Sequence, residues 1–342
     1  GIKDYKLFFT QLENQLQIQQ ENTSDVHAIN KMVNEVSFRA LKIKQKSWYD
    51  VGNTTELALT RKFFQGDIEV LDKQNESIFF FKDFIIKFFY DTTINNNRVK
   101  RAKKLYPLVP QIIDSTENFY KYKKAKGKLF SKSVKSKSFL HLLNFSENKL
   151  WKKSLEDKLD FKNKCRKFYI DKSKSRISQY LKDNIDPKVI NGEFIPPIND
   201  LFNQIDFDCL CNGISSQFHG DFILDNIIET QDSFTLIDWR QDFGGDLEIG
   251  DLYYDLAKLN HNLIVNHGII EQNLYSPSPD NCYILCNSIL IECKKILHGF
   301  IKDKGYDLNK VELLSSIIWL NMAPLHEYPF NKFLFNYTMI NY

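Results

Sequence analysis

The stretch FHGDFILDN, residues 218–226, constrains the fold more than any other part of the chain. It holds Asp221 and Asn226 between apolar residues of the kind that form short buried strands. A second apolar segment, FTLIDW, contains Asp238 twelve residues after Asn226. Two short strands at this spacing would place the side chains of Asp221, Asn226 and Asp238 at neighbouring loop ends.

Two carboxylates and an amide in this order suit phosphoryl transfer. One carboxylate orients the attacking hydroxyl, while the amide and the second carboxylate hold Mg²⁺ on the nucleotide phosphates. The segments HGDxxxxN and LIDW, followed by GDLYYDLAKL, resemble the catalytic and metal-binding segments of the aminoglycoside phosphotransferase and choline kinase superfamily, which is similar in fold to protein kinases. The resemblance implies that Asp221 is the catalytic base and that Asn226 and Asp238 bind Mg²⁺.

The patterns elsewhere fit the bilobal α+β fold that this resemblance implies, the protein-kinase-like fold. Residues 65–127 are predicted to form a small antiparallel N-lobe and a hinge, because SIFFFKD and FIIKFFYD are adjacent apolar segments joined at a short polar turn. Residues 128–342 are predicted to form a larger, mainly helical C-lobe that contains the catalytic loop. Residues 1–64 form a helical N-terminal extension, in which Ser24 or Asp25 caps the second helix.

Lys87 is the candidate for binding the nucleotide, ATP or GTP. It lies in the apolar strand FIIKFFYD, where a cation is out of place unless it meets a charged partner or reaches solvent. The resemblance implies that Lys87 contacts the α and β phosphates. Lys82 is the alternative, although its position at a turn favours a solvated side chain. The segment YKYKKAKG, ending at Gly127, resembles the hinge on which adenine rests.

The sequence departs from the kinase pattern in two ways. No glycine-rich loop precedes the strand that holds Lys87, and DKQNES stands in its place. No glutamate occurs between Lys87 and Glu117, so the helix NNNRVKRAKKL lacks the usual lysine partner, for which Asp91 is the candidate substitute. A rival hypothesis is therefore a pseudokinase that binds a nucleotide or partner without turnover. The intact catalytic and metal-binding set favours the enzyme.

Neighbouring residues are predicted to support the catalytic loop. The resemblance implies that an aspartate in the following helix braces this loop, and both Asp251 and Asp255 match it. Asp251 follows Gly250 and also suits an N-cap position. His219 is expected to fix the loop through hydrogen bonds rather than to carry protons.

The first 65 residues carry a second resemblance. SDVHAINKMVNE, FRALKI and SWYDVGNTTELALTRKFF are similar to the closing segment of sugar nucleotidyltransferases, in which Asp50 would bind a metal ion. The glycine-rich loop and first metal aspartate of that family are missing, so this chain is not expected to transfer nucleotides alone. The resemblance implies a longer protein that joins a nucleotidyltransferase to a kinase and activates sugars for surface polysaccharides. The alternative is a helical extension that braces the N-lobe.

The acceptor is predicted to be a small hydroxyl compound, a sugar or related polyol. Six acidic residues lie from Asp238 to Asp255, both included, and such a group binds amines, hydrogen-bonds sugar hydroxyls or forms a solvated loop. A choline- or aminoglycoside-type kinase is the alternative, with Trp239, Tyr253 and Tyr254 as a cation-binding cage.

Composition limits the remaining classes. With 43% hydrophobic residues and a net charge of +3, the chain is expected to be globular and not to bind nucleic acid. Positive charge is concentrated at 98–104, 121–137 and 152–176, which indicates either solvated faces or an anionic ligand. No apolar run is long enough for a membrane span. The six cysteines lack metal-binding spacing, which favours reduced thiols and a cytoplasmic location.

Overall fold

The computed structural model describes residues 2–18, 23–39, 49, 51–64, 69–73, 75–231 and 233–341. Its contacts divide the chain into two compact units, Gly1–Gly66 and Asp67–Tyr342. The predicted metal-binding residue Asp50 lies outside the described residues, and the nucleotidyltransferase resemblance stays a prediction. Within the described part of the chain, no helix has the length and apolar character needed to cross a bilayer.

The first unit is helical where it is described. Its helices are α1 Tyr5–Ile18, α2 Asp25–Met32 and α3 Thr54–Phe64. α1 and α2 pack together, and Ala28 and Met32 of α2 are buried. Ser24 is the N-cap residue of α2, and its backbone N–H donates to His27 Nδ1 at 3.2 Å. Of the two predicted capping residues, Ser24 therefore occupies the cap.

The second unit begins with a five-stranded antiparallel sheet in the order β1-β2-β3-β5-β4. The sheet and its one helix comprise β1 Glu69–Lys73, β2 Glu76–Phe80, β3 Phe84–Phe89, α4 Thr92–Leu105, β4 Ile112–Ser115 and β5 Phe119–Lys123. Burial alternates along β3, with Ile85, Lys87 and Phe89 on the buried face. This alternation follows the two-residue period of a strand. The side chain of Lys87 therefore lies in the protein interior, between the apolar side chains of Ile85 and Phe89.

The rest of the second unit is mainly helical. Its α-helices are α5 Phe130–Ser133, α6 Ser136–Lys149, α7 Lys158–Arg166, α8 Lys172–Tyr180, α9 Ile198–Asn203, α10 Phe207–Leu210, α11 Leu252–Asn262, α12 His267–Glu271, α13 Ser288–Asp303, α14 Leu308–Met322 and α15 Phe330–Ile340. A π-helical turn, Lys167–Asp171, joins α7 to α8. α14 packs against both α11 and α15, and α13 packs against α6. These contacts bury the apolar faces of the long helices and form the main core.

Short strands lie between these helices and position the loops. They are β6 Lys128–Leu129, β7 Val189–Ile190, β8 Glu193–Phe194, β9 Ser215–Gln217, β10 Ile227–Glu229, β11 Phe234–Leu236, β12 Ile249–Asp251, β13 Tyr275–Ser276 and β14 Tyr283–Ile284. β11, β10 and β6 form one small antiparallel sheet, and β12 pairs with β9. The FHGDFILDN stretch thus runs from the end of β9 to the start of β10, and Asp238 lies just beyond β11.

Candidate active site

The catalytic loop, residues 218–226, is held by apolar side chains on both sides of Asp221. Phe218 and Phe222 are fully buried, whereas the Asp221 side chain is 36% exposed. Asn226 Nδ2 donates to Asp221 Oδ2 and to the Asp221 carbonyl, each at 2.9 Å. These bonds use the amide nitrogen of Asn226, so its amide oxygen is the atom suited to a cation. The structure brings Asp221 and Asn226 together as the sequence predicted.

Asp238 adopts a φ of +58°, a left-handed conformation that is uncommon for residues other than glycine. Its Oδ1 lies 2.6 Å from Lys87 Nζ and also accepts a hydrogen bond from Arg98 of α4. The preceding carbonyl, that of Ile237, is 3.0 Å from His219 Nε2 in the catalytic loop. Asp238 therefore lies where the sheet, α4 and the catalytic loop meet.

Lys87 and Asp238 form a buried ion pair. Burial by itself lowers the pKa of Lys87, but Asp238 together with the neighbouring hydroxyls of Tyr120 and Tyr122 outweighs this effect, and the pKa is raised. For Asp238, burial favours the neutral acid, yet Lys87 and Arg98 together hold its pKa well below the ordinary value. Both groups are therefore charged at neutral pH. Lys82, the alternative nucleotide lysine, is exposed.

A second carboxylate partner of Lys87 comes from the neighbouring strand. Glu76 of β2 lies 3.5 Å from Lys87 Nζ. Asp91, the predicted substitute for the missing helix glutamate, instead caps α4 by accepting from two backbone N–H groups of its first turn. α4 contributes Arg98 to the site, with a charge opposite to that of a glutamate, and Arg98 contacts Asp238 rather than Lys87.

Asp255 of α11 braces the catalytic loop. Its Oδ2 accepts from the His219 N–H and its Oδ1 from the Gly220 N–H, both at 2.7 Å, and Trp151 Nε1 donates to Oδ2 at 3.1 Å. Burial raises the pKa of Asp255 to about 6, although these donors act in the opposite direction. Asp251 is the N-cap residue of α11. Of the two aspartates that the sequence left open, Asp255 contacts the loop.

His219 and Gly220 fix the shape of the loop at Asp221. His219 Nε2 is bonded to the Ile237 carbonyl, and Nδ1 accepts from the Asp221 N–H at 3.3 Å. Burial lowers the pKa of His219 to about 4, so the ring is neutral at pH 7, which suits a structural role. Gly220 has a φ of +87°, and a Cβ there would lie 2.6 Å from Arg240 Cβ. A side chain at position 220 would therefore displace the loop.

Asn226 and Asp238 offer donors of the kind that Mg²⁺ prefers, an amide oxygen and a carboxylate. Among the residues that the structure describes, no group of three or more His, Cys, Asp or Glu side chains is placed to hold a metal ion. A cation between Asn226 and Asp238 would therefore need further oxygen ligands from nucleotide phosphates and water, which is the usual way in which phosphotransferases bind Mg²⁺.

A strand lysine, an aspartate and an asparagine inside one loop, and a second aspartate after that loop are residue types that phosphoryl transfer uses. The fold is kinase-like. The five-stranded antiparallel sheet and the larger helical region confirm the predicted bilobal α+β class.

Solved structures with similar folds include APH(2″)-IIa in a ternary complex with streptomycin and ATP, at 14% identity and a TM-score of 0.45, covering 81% of this chain and 91% of that chain. An ethanolamine kinase from Plasmodium vivax matches at 14% identity and a TM-score of 0.44, covering 94% of each chain. A choline/ethanolamine kinase family protein from Mesorhizobium loti matches at 12% identity and a TM-score of 0.41, covering 79% of this chain and 84% of that chain. No protein-family model and no curated protein matches the chain.

Arg101 ties α4 of the kinase-like fold to the catalytic loop. It is buried, its Cζ lies 3.9 Å from the centre of the Phe218 ring, and its guanidinium donates to the backbone carbonyls of Phe218, His219, Arg240 and Leu247. Burial lowers the pKa of Arg101 to about 9, so the side chain remains charged at pH 7. Nothing in NNNRVKRAKKL distinguishes this arginine from the cations beside it.

Lys258 of α11 is a further site residue that the sequence patterns did not reveal. Its Nζ lies 2.7 Å from Asp221 Oδ1. Burial raises the pKa of Asp221, but Lys258 more than offsets that effect and the pKa is lowered. Asp221 is therefore ionised at neutral pH. Lys258 lies three residues after Asp255, on the same face of the helix, and this spacing is the only sequence signal for it.

The aromatic residues considered for an amine-binding cage belong to the core. Trp239 is fully buried, and Tyr253 and Tyr254 are only 7% and 6% exposed. Trp239 Nε1 donates to the Arg98 carbonyl at 2.8 Å, and its ring packs against Tyr120 at a centroid distance of 6.0 Å. These three residues stabilise the fold and do not form an open cage.

The acidic residues between Asp238 and Asp255 are also engaged within the protein. Asp246 pairs with Lys164 at 2.6 Å, Glu248 pairs with Lys104, and Asp242 accepts from the Gly245 N–H at 3.0 Å. Together with the ion pairs of Asp238 and the structural bonds of Asp251 and Asp255, these contacts account for all six residues. The acidic run therefore does not form one surface patch that would attract an amine.

Proposed function

We propose that the chain is a small-molecule kinase that transfers the γ-phosphate of ATP or GTP to a hydroxyl of a sugar or related small alcohol. The observation that supports this proposal most is the convergence of Asp221, Asn226 and Asp238 at one place, with Lys87 bonded to Asp238. Phosphoryl transfer uses carboxylates, an amide and a cation close together, so this convergence supports the proposal.

The chain's own residues divide the work between nucleotide and acceptor. Lys87 would bind the α and β phosphates from the sheet side, and Asn226 and Asp238 would hold the metal. Mg²⁺, when bound, neutralises charge on the β and γ phosphates. Because Lys87 is fixed by Asp238 and Glu76, its ammonium is already in place when the nucleotide binds, which reduces the entropy lost on binding.

Asp221 orients the acceptor. Its ionised carboxylate accepts a hydrogen bond from the acceptor hydroxyl and aligns the oxygen with the γ-phosphorus. The acceptor oxygen then forms a bond to the γ-phosphorus, while the bond from that phosphorus to the oxygen bridging the β phosphate breaks. The hydroxyl proton passes to Asp221, and the nucleoside diphosphate leaves.

A pseudokinase would need only nucleotide contacts. Asp221 contributes to the orientation of an acceptor and not to the binding of phosphate, since a carboxylate repels it. The catalytic loop nevertheless holds Asp221 through Asn226, Lys258 and the His219 ring. This support of a residue that only turnover requires favours the enzyme over the pseudokinase.

Asp221→Asn tests the proposal, because it preserves the shape of the side chain and removes the base. We expect turnover on an acceptor identified from a panel of sugars and amino alcohols to fall by about two orders of magnitude or more. Nucleotide affinity, measured by calorimetry with Mg²⁺, should change by less than about threefold, because Asp221 acts mainly in the transition state.

Asp225→Asn is the matched control, since Asp225 lies in the same loop but pairs with His267. It should retain the turnover of the wild type. Near wild-type transfer by Asp221→Asn would remove Asp221 from the mechanism. Nucleotide binding without transfer to any acceptor by the wild type would instead support the pseudokinase.

A further inference from the structure

Four cationic side chains lie near one another on the Arg240 side of the catalytic loop: Lys172 and Arg176 of α8, Arg240, and Lys258 of α11, which contacts Asp221. We call them the loop-side cations. Lys172 Nζ and Arg240 Cζ each lie 4.8 Å from the centre of the Phe168 ring, so one aromatic side chain holds both. The Arg240 N–H donates to the His219 carbonyl at 3.0 Å, which fixes this residue next to the catalytic loop.

Most of this positive charge lacks a carboxylate partner. Lys258 pairs with Asp221, but Lys172, Arg176 and Arg240 form no ion pair with any residue that the structure describes. Arg176 Nη1 donates to the neutral amide of Gln179 at 2.9 Å. The buried Nε of Arg240 has no hydrogen-bond partner in the described part of the chain.

The loop-side cations repel one another. Burial and the charges of Arg240, Lys258 and Arg176 hold the pKa of Lys172 well below its ordinary value. Burial and Arg240 also lower the pKa of Arg176. Like charges kept together at a partly buried place cost free energy unless a ligand offsets them, so this arrangement suits an anion.

Backbone geometry points to the same place. Phe168 lies in the π-helical turn Lys167–Asp171, and π-helical turns frequently occur at functional sites. Lys172 follows this turn directly. The turn therefore positions the Phe168 ring that contacts Lys172 and Arg240. It also gives part of the basic segment 152–176, whose role the sequence left open, a place in the proposed site.

We propose that the acceptor is an anionic hydroxyl compound, whose phosphate or carboxylate is bound by Lys172, Arg176 and Arg240 while its hydroxyl meets Asp221. This inference rests on the proposed kinase function and specifies its substrate class. The inference excludes amines as acceptors, because the loop-side cations would repel an ammonium group. Lys258 lies nearest to Asp221 and adds positive charge where the transferred phosphoryl group passes.

The test compares ligands that differ in charge. Binding of glucose, glucosamine, gluconate and glucose 6-phosphate is measured by calorimetry at constant ionic strength, with and without a nonhydrolysable ATP analogue and Mg²⁺. The last two probes distinguish carboxylate from phosphate. We expect at least one anionic probe to bind about tenfold or more tightly than glucose and glucosamine, because hydrogen bonds to charged groups are the strong ones.

The variants locate the site. Arg240→Gln and Lys172→Gln should each remove most of the preference for the anion, and Arg240→Lys should restore part of it. Lys174→Gln is the matched control, because Lys174 lies on the same helix but is exposed, and it should bind as the wild type does. If Arg240→Gln fails to fold, Lys172→Gln and Arg176→Gln decide the result.

Three outcomes would overturn the inference. The first is that glucose or glucosamine binds as tightly as the anions or more tightly, and the second is that neither anion binds. The third is that anion binding persists in both Arg240→Gln and Lys172→Gln. Competition between the anions and the ATP analogue, with loss of ATP affinity in the same variants, would assign the loop-side cations to the nucleotide and also overturn it. If the wild type binds the anion but not Mg²⁺ with ATP, the proposed kinase function is wrong while the anion site stands.

Discussion

Two carboxylates of the site, the half-buried Asp238 and the buried Asp255, have opposite surroundings. Asp238 contacts the side-chain cations Lys87 and Arg98, which come from β3 and α4. Asp255 accepts hydrogen bonds from the backbone N–H groups of His219 and Gly220 and from an indole N–H. The pKa of Asp238 is lowered, and that of Asp255 is raised to about 6.

This difference separates a binding group from a supporting one. Lys87 is already in place for a phosphate, whereas the long side chain of Arg98 can turn away from Asp238 and would leave that carboxylate available to a metal ion. Backbone N–H groups cannot leave Asp255 without a change in the path of the catalytic loop. Under the proposed function, Asp238, with its charged side-chain partners, would be the carboxylate that binds the metal ion. Asp255, with its backbone partners, fixes the geometry of the loop.

Replacing Asp238 should have the largest effect. Asp238→Ala leaves the buried Lys87 and Arg98 without their shared partner, so the free energy of unfolding should fall by about 3 to 5 kcal/mol. The increase in Tm that Mg²⁺ gives in the presence of ATP should also be lost. Thermal denaturation with and without Mg²⁺ measures both effects. An unchanged Mg²⁺ dependence would remove Asp238 from the metal site.

Asp255→Asn should destabilise the chain by about 2 to 3 kcal/mol, because the amide NH₂ would face backbone N–H groups that need an acceptor. Unlike Asp238→Ala, it should preserve the Mg²⁺ dependence of the Tm. Chemical denaturation measures the cost, with Asp183→Asn as the exposed control. A stability equal to that of the wild type would show that Asp255 does not brace the loop.

Lys87→Met tests whether the partner of Asp238 also binds nucleotide. It keeps most of the stem and removes the charge, so ATP affinity should fall by about tenfold, the loss of one charge-assisted hydrogen bond. Lys82→Met removes an exposed lysine from the same sheet region and should leave the affinity unchanged. Equal weakening by both variants, or by neither, would contradict the assignment of Lys87. Calorimetric titration of each variant with ATP gives the comparison.

The pH dependence of stability should differ between Asp238 and Asp255. This effect should be smaller than those of the three substitutions above. The folded pKa of Asp255 is about 6, above its ordinary value of 3.8. Its contribution is therefore fully present below about pH 3.8 and is lost as pH rises through about 6. Between about pH 5 and 7 this amounts to roughly 1 kcal/mol.

Asp238 has the opposite sign. Its pKa is lowered in the fold, so its contribution is present above about pH 3.8 and is lost only as pH falls below that value. Denaturation at several pH values should thus give a difference between wild type and Asp255→Asn that changes from pH 5 to 7, and a constant difference for Asp238→Ala. Parallel curves for the two variants would contradict the assigned surroundings.

The sequence singled out Asp221, Asn226, Asp238 and Lys87, which the structure brings together, because each of them interrupts an apolar segment; their roles stay predictions. A polar side chain at such a position generally needs a partner within the protein or a ligand to offset the cost of its burial. The fold class followed from the same segments, since their period and spacing gave the antiparallel sheet and the helical region that the structure has.

The surroundings of these residues were not predictable in the same way. Lys87 and Asp238 are 151 positions apart, and Arg101 lies 146 positions before one of the carbonyls that it binds. Lys258, Glu76 and Arg98 are ordinary charged residues in their local sequence. Their roles depend on tertiary contacts, which no local period reports. The acidic run misled for the same reason, because its partners Lys104 and Lys164 are distant in the chain.

The Arg101 contacts have a consequence for dividing the protein into halves. A cut after Gly127 would separate the sheet from the helical region, yet it would leave Arg101 in the first fragment and all the carbonyls that it binds in the second. In the first fragment the side chain of Arg101, which is buried in the intact protein, would be exposed. In the second fragment the carbonyls at the catalytic loop would lose the hydrogen bonds that Arg101 donates. Neither fragment is expected to fold alone.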